Sequence, residues 1–235
     1  TLDEQPERVV ALQPSDAQVM WELGAESRVV GMPVGPTTAY LSGSEEKTDV
    51  KNDDGTVNVE QVVGLEPDLV LAANVTRQTT IDQLRSAGVT VYNYGLSNSV
   101  ENIIENTRLT GQLVGACGAA NETATEFSQQ VEQVEQAVAD SERPDALYYF
   151  YNFTTGPGTH IHSVLEAAGV DNVAAEYNVS GYAQLNQEVV ADADPEWIIY
   201  PTGSPPPDRE PWTGTTAVQQ GQTIELNSNY ISQPG

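Results

Sequence analysis

One segment occurs twice in this chain. Val59-Glu-Gln-Val-Val-Gly-Leu-Glu-Pro-Asp-Leu-Val-Leu71 aligns without a gap on Gln187-Glu-Val-Val-Ala-Asp-Ala-Asp-Pro-Glu-Trp-Ile-Ile199, 128 positions later. Glu60 falls on Glu188 and Pro67 on Pro195. Each copy reads as a short helix, a proline that cannot continue it, and a buried strand. A fainter correspondence lays the opening strand, loop and helix, ending at Gly24, over a strand at Ala146, a loop at Asn152 and a helix ending at Gly169. The halves are therefore expected to be similar α/β units in the same order. Two such lobes enclose a cleft, and ligands of open α/β sheets bind outside the carboxyl ends of the strands.

The intervening pattern agrees. Arg8-Val-Val-Ala-Leu12 reads as a strand, and Ser15 with Gln18 as a capping box opening a helix that Gly24 ends. Arg28-Val-Val-Gly-Met32 reads as a second strand. Asn58 is placed to cap the helix of the first repeat copy, which feeds the strand at Asp68 to Ala72. A helix from Thr79 to Ala87 follows, with a strand at Val89 to Tyr92. Strands alternating with helices at this spacing predict parallel sheets covered on both faces. After Ser99 the pattern turns helical. A helix is predicted from about Asn121 to Ser141, opened by a Thr123/Glu126 capping box, with an apolar stripe of Ala124, Phe127, Val131, Val134 and Val138. At 1.5 Å per residue it is about 30 Å long, suited equally to joining two lobes or to lying on a surface. The predicted division is an N-terminal α/β lobe over 1–110, a linker-helix region over 111–142 and a C-terminal α/β lobe over 143–235.

Charge limits the partners. Thirty-four acidic residues against nine basic ones give −25, while charged residues are only 18% of the chain, so the imbalance comes mainly from missing Lys and Arg. Such a surface repels phosphate backbones and anionic headgroups, excluding nucleic acid and membrane surfaces as partners. Self-repulsion is tolerable in molar salt, where the Debye length falls to about 3 Å, which points to a halophile. No apolar run reaches the roughly 18 residues of a membrane span. Cys117 is the single cysteine, so no intrachain disulfide forms. Asn-x-Ser/Thr sequons at Asn74, Asn121, Asn152 and Asn178 fit an exported chain.

Enzyme motifs are lacking: there is no Gly-x-Ser-x-Gly, no phosphate-binding Gly-x4-Gly-Lys-Ser/Thr and no His-Glu-x-x-His. His160 and His162 stand two apart, where helical residues do not share a face, and no third ligand is spaced to join them, so no metal site or cofactor is expected. The predicted strand-end loops combine aromatic rings with uncharged hydrogen-bonding groups. Gln13, Ser15, Tyr40, Asn74, Asn152, Phe153, Tyr182, Ser204 and Trp212 are the candidate ligand-binding residues. That mixture suits a bulky, partly apolar ligand held by stacking and a few polar contacts. Tyr148 and Phe150, inside a strand, are expected in the core.

These segments are also familiar as a set. Arg8-Val-Val-Ala-Leu-Gln-Pro-Ser15, Leu23-Gly-Ala25, Arg28-Val-Val-Gly31 and Asn58 through Leu71 resemble the class III periplasmic binding proteins of ABC importers, the group that captures vitamin B12 and ferric siderophores. Gly158-Thr-His-Ile161, Leu165-Glu-Ala-Ala-Gly169 and Trp212 through Gly221 match its second half. The resemblance implies two Rossmann-like lobes with parallel sheets, joined by a single long linker helix, with the ligand cleft between the lobes. It implies that Glu60 and Glu188 dock onto arginines of a membrane permease. Tyr182 matches a cleft tryptophan and Phe153 a cleft phenylalanine of the B12-binding members, while Asp54 stands where those members have a tryptophan. The family continues into a further helix after a Pro-Gly such as Pro234-Gly235.

The resulting expectation is a monomeric extracellular binding protein, anchored at the cell surface, that captures a corrinoid and hands it to an ABC permease. The alternative ligand is a ferric siderophore or haem. The alternative of another class is an enzyme or interaction module on the same fold, since fold does not fix function.

Overall fold

The computed structural model describes residues 5–73, 75–95 and 97–227. By contact they divide into two units, one comprising residues up to 95 together with 102–127, the other 97–101 together with 128 onward.

The first unit begins with β1 (Val9–Ala11), α1 (Pro14–Glu22), β2 (Val29–Met32) and β3 (Thr48–Asp49). It continues through α2 (Val59–Gly64), β4 (Leu69–Ala73), α3 (Gln78–Ser86) and β5 (Val91–Tyr94). The sheet order is β3-β2-β1-β4-β5, with every neighbouring pair parallel. Alternate residues of the central strands feed opposite cores, as the two-residue period of a strand requires. Val9, Ala11 and Leu71 pack with Met20 of α1, whereas Val10, Val70 and Ala72 pack with Ile81 and Leu84 of α3. Each of the Val, Leu, Ile and Met side chains among these, fully buried, contributes about 1.5–3 kcal/mol.

Two helices follow, α4 (Val100–Leu113) and α5 (Cys117–Val138). They approach closely where Gly111 faces Ala120, since a Cβ on Gly111 would sit 2.1 Å from that of Ala120. α5 starts at Cys117, two residues after the positive-φ Gly115, so Thr123 and Glu126 lie inside the helix rather than at its N-cap. The alanines at 119 and 120 favour helix before the expected cap is reached. Of its apolar stripe, Ala124 is buried and Val134 is 45% exposed, and Val138 packs on Gly169.

The second unit contains β6 (Asp145–Tyr148), β7 (Phe153–Thr155), α6 (His160–Ala167), β8 (Asp171–Asn172) and β9 (Tyr182–Gln184). It ends with α7 (Gln187–Ala193), β10 (Trp197–Pro201), α8 (Thr216–Gln220) and β11 (Thr223–Leu226). The order β11-β10-β6-β8 is parallel throughout. Read from the other edge it repeats β2-β1-β4-β5 of the first sheet, strand for strand. β7 and β9 add a separate antiparallel pair that the sequence pattern had not indicated. Within the repeat even the strained turn is duplicated: Glu66 at φ 48° and Asp194 at φ 36° both precede the turn proline.

At the start of α1 the local reading needs correction. The helix begins at Pro14, with Gln13 as N-cap, and the Asp16 carboxylate accepts from the Gln13 N–H at 3.1 Å. Proline is favoured at the first helical position and Asp at the third, which moves the start one residue ahead of Ser15. Gln18 instead accepts a hydrogen bond from the Tyr40 hydroxyl at 2.9 Å.

Candidate functional site

Each unit presents a candidate surface where strands end. In the first, a pocket of about 330 Å³ opens beyond the carboxyl ends of β1 and β4. Gln13, two residues after β1, forms one wall, and Val75, Thr76, Arg77 and Thr80 at the start of α3 form another. The loop from Lys51 to Val57 closes it. That loop is shaped locally: the Asn52 N–H donates to the Thr56 carbonyl, Lys51 bridges to Val57, and Asp54 Oδ1 accepts from both the N–H and hydroxyl of Thr56 at 2.9 and 2.6 Å. These bonds from Thr56, with Arg77 nearby, hold the Asp54 carboxyl below its usual range.

Asp16 lies behind the Gln13 wall. It is 1% exposed, and its Oδ1 has no hydrogen-bond partner. Burial pushes its pKa up to about 7, against the opposing pull of the Gln13 N–H and the Lys51 charge. Burial lowers Lys51, and Asp16 and Asp49 counter that effect.

The second unit carries an aromatic face. Phe150 touches Phe153 at 5.7 Å and Tyr182 at 6.1 Å between ring centroids, and Tyr148 lies 5.6 Å behind it. In the antiparallel pairing of β7 and β9, Phe153 lies opposite Gln184 and Tyr182 opposite Thr155, and both rings reach Phe150. Phe153 is 42% exposed and Tyr182 51%, unusual for such large rings. The Tyr182 hydroxyl lies 3.2 Å from His160 Nδ1 at the start of α6. Burial of much of its ring raises the Tyr182 phenol above its usual pKa.

The remaining sequence candidates fall into different settings. Ser15 is half-buried in the first turn of α1, and Tyr40 is partly exposed. Asn152 is exposed at φ 69°, and its side-chain oxygen accepts from the Tyr149 hydroxyl at 3.4 Å. Ser204 is buried, its Oγ accepting from the Tyr151 N–H at 2.7 Å. Trp212 is 2% exposed and packs edge-on against Tyr149 at 4.5 Å, a core position. Tyr148 is a core residue as expected. Asn74 lies outside the described residues. Glu60 and Glu188 are exposed in the first turns of α2 and α7. Lys51, Thr76, Arg77 and Thr80 were missed by sequence reasoning, although position just after a strand end was a usable signal. Among the described residues no cluster of His, Cys, Asp and Glu could hold a metal ion, and no helix is long and apolar enough to cross a membrane.

Known proteins give this arrangement a family. The family described as "Periplasmic binding protein" matches residues 9–230. The cobalamin-binding protein of Halobacterium salinarum is 41% identical over 251 residues, covering 100% of this chain and 67% of the relative. Among solved structures, the periplasmic heme-binding protein RhuT from Roseiflexus superposes with a TM-score of 0.84 at 21% identity, covering 97% of this chain and 92% of that one. The periplasmic vitamin B12 binding protein BtuF of Vibrio cholerae gives 0.83 at 22%, covering 97% and 91%. The parallel α/β architecture read from the repeat is thus the fold of these solute-binding proteins. Matched over nearly its whole length, the chain belongs to the periplasmic binding protein family, a family of substrate-binding proteins and not of enzymes.

Proposed function

We propose that this protein captures a corrinoid outside the cell membrane and delivers it to the permease of an ABC importer. The observation that carries this reading is the 41% identity, over the whole chain, to a cobalamin-binding protein. The exposed aromatic face supports it, because Phe153 and Tyr182 offer flat apolar area to a macrocycle at little cost in side-chain entropy. Glu60 and Glu188 are the proposed permease contacts, occupying equivalent positions in the two repeat copies. With a net charge of −25 the protein is suited to molar salt, where docking relies on direct contact because long-range steering is screened. A cell-surface anchor outside the described residues completes the proposal.

Haem is the competing ligand, favoured by the phenol of Tyr182 beside the imidazole of His160, both donors that iron accepts. Calorimetric titration with cyanocobalamin in multimolar KCl, followed by quenching of Trp and Tyr fluorescence, tests the proposal. One-to-one binding at micromolar affinity or tighter is expected. Absence of heat and quenching in folded protein, with haem binding instead, would overturn the corrinoid assignment.

A further inference from the structure

Cations are rare in this chain: two lysines and seven arginines stand against 34 acids. Two of those nine, Lys51 and Arg77, line the same pocket of the first unit. The rest of the wall is rich in donors, with the hydroxyls of Thr76 and Thr80 and the Gln13 amide. Gln13 and Arg77 are the N-caps of α1 and α3, so both helices turn their positive ends to this region.

The acids nearby offset part of this field, and each is held by hydrogen bonds of its own. Among the described residues Asp54 is the one carboxylate on the wall; it stays ionised, with its Oδ1 turned to the N–H and hydroxyl of Thr56. Asp16 is sequestered behind Gln13 and, with its pKa near 7, carries only part of a charge at neutral pH. Asp49 acts on Lys51 from β3, and its Oδ1 accepts from the Val34 and Lys51 N–H groups.

We infer that this pocket is an oxyanion subsite, in which the Lys51 ammonium and the Arg77 guanidinium bind a phosphodiester or carboxylate carried by the transported ligand. The inference deepens the transport reading above and rests on it. In molar salt a diffuse positive potential would be screened within about 3 Å. Recognition there requires direct charge-assisted hydrogen bonds in a partly enclosed site, which this pocket supplies. A corrinoid would offer the phosphodiester of its nucleotide loop, a haem its propionates.

The test pairs each ligand with a version lacking the anion: cyanocobalamin with cobinamide, and haem with its dimethyl ester. Affinities are measured for wild type, Lys51→Gln and Arg77→Gln in multimolar KCl, with circular dichroism to confirm folding. Wild type is expected to prefer the oxyanion-bearing member of the pair it binds by about tenfold or more, as loss of a charged hydrogen bond implies. Both variants should lose that preference while keeping wild-type affinity for the member that lacks the oxyanion. Failure of both corrinoids to bind, with the haem pair showing the effect, would overturn the corrinoid reading and leave the subsite standing. Equal affinity within the bound pair for wild type, a preference that survives both substitutions, or binding of none of the four ligands would overturn the subsite.

Discussion

Asn186 stands to α7 as Asn58 stands to α2. Asn58 Oδ1 accepts from the Gln61 N–H, and Asn186 Oδ1 accepts from the Glu188 N–H, each at 3.0 Å and 128 residues apart. Each cap satisfies an otherwise orphaned first-turn donor beside a candidate docking glutamate. Replacing either asparagine by alanine should cost about 1 kcal/mol, and the two losses should add because the sites share no partners. Denaturant melts of the single and double variants in KCl measure this directly, and a double-variant loss well below the sum would contradict it.

The approach of α4 to α5 depends on a missing side chain. Gly111→Ala would bring a Cβ to 2.1 Å from Ala120 and 3.2 Å from the Ala116 carbonyl oxygen. We expect a loss of about 1–3 kcal/mol. Gly118→Ala, which has open space around it, should instead be neutral or mildly stabilising because alanine favours the helix. Equal melting temperatures for the two variants would count against this packing.

Asp16 should give stability an unusual pH dependence. Its folded pKa of about 7 exceeds its ordinary value of 3.8, so between these values the native state binds more protons than the unfolded state. Stability therefore falls as pH rises through that window, by at most about 4 kcal/mol, and is not recovered above pH 7. Asp16→Asn removes the titration and can still accept from the Gln13 N–H. Relative to wild type, the variant should be more favourable at pH 8 than at pH 5 by unfolding measurements, and a pH-independent difference would refute the assignment.

The aromatic residues should separate by burial. Phe153→Ala and Tyr182→Ala remove exposed rings, so each should leave the melting temperature nearly unchanged while weakening ligand binding by about tenfold. Trp212→Ala empties a core position against Tyr149 and should cost about 3–5 kcal/mol. Paired calorimetry and thermal melts distinguish these outcomes.

Glu60→Gln and Glu188→Gln are expected to leave ligand affinity intact and lower uptake into cells. Both carboxylates are exposed, and neither lines the pocket. A fall in affinity would remove them from the docking role.

The repeated segment was legible because it is built from local rules. A cap, a short apolar helix, a proline turn and a buried strand each depend on neighbours a few residues away, and the structure returns them at both copies, from Asn58 to Ala73 and from Asn186 to Pro201. The opening strand and helix were legible to within two residues for the same reason, with Pro14 and Asp16 moving the cap from Ser15 to Gln13. α5 was less so: it starts ahead of the cap the sequence suggested, with helix-favouring Ala119 and Ala120 in its first turn and Ala120 packed against Gly111.

By itself the sequence determined the duplicated parallel α/β plan, the acidic surface and the aromatic character of the candidate face, since periodicity, charge and residue type are properties of the chain before it folds. Only tertiary structure decided that Trp212 belongs to the core while Tyr182 stays exposed, that Phe153 and Tyr182 both pack on Phe150, and that Lys51 and Arg77 share one pocket. Those facts depend on contacts between residues distant in sequence, which local pattern does not encode and which strand pairing and packing must bring together.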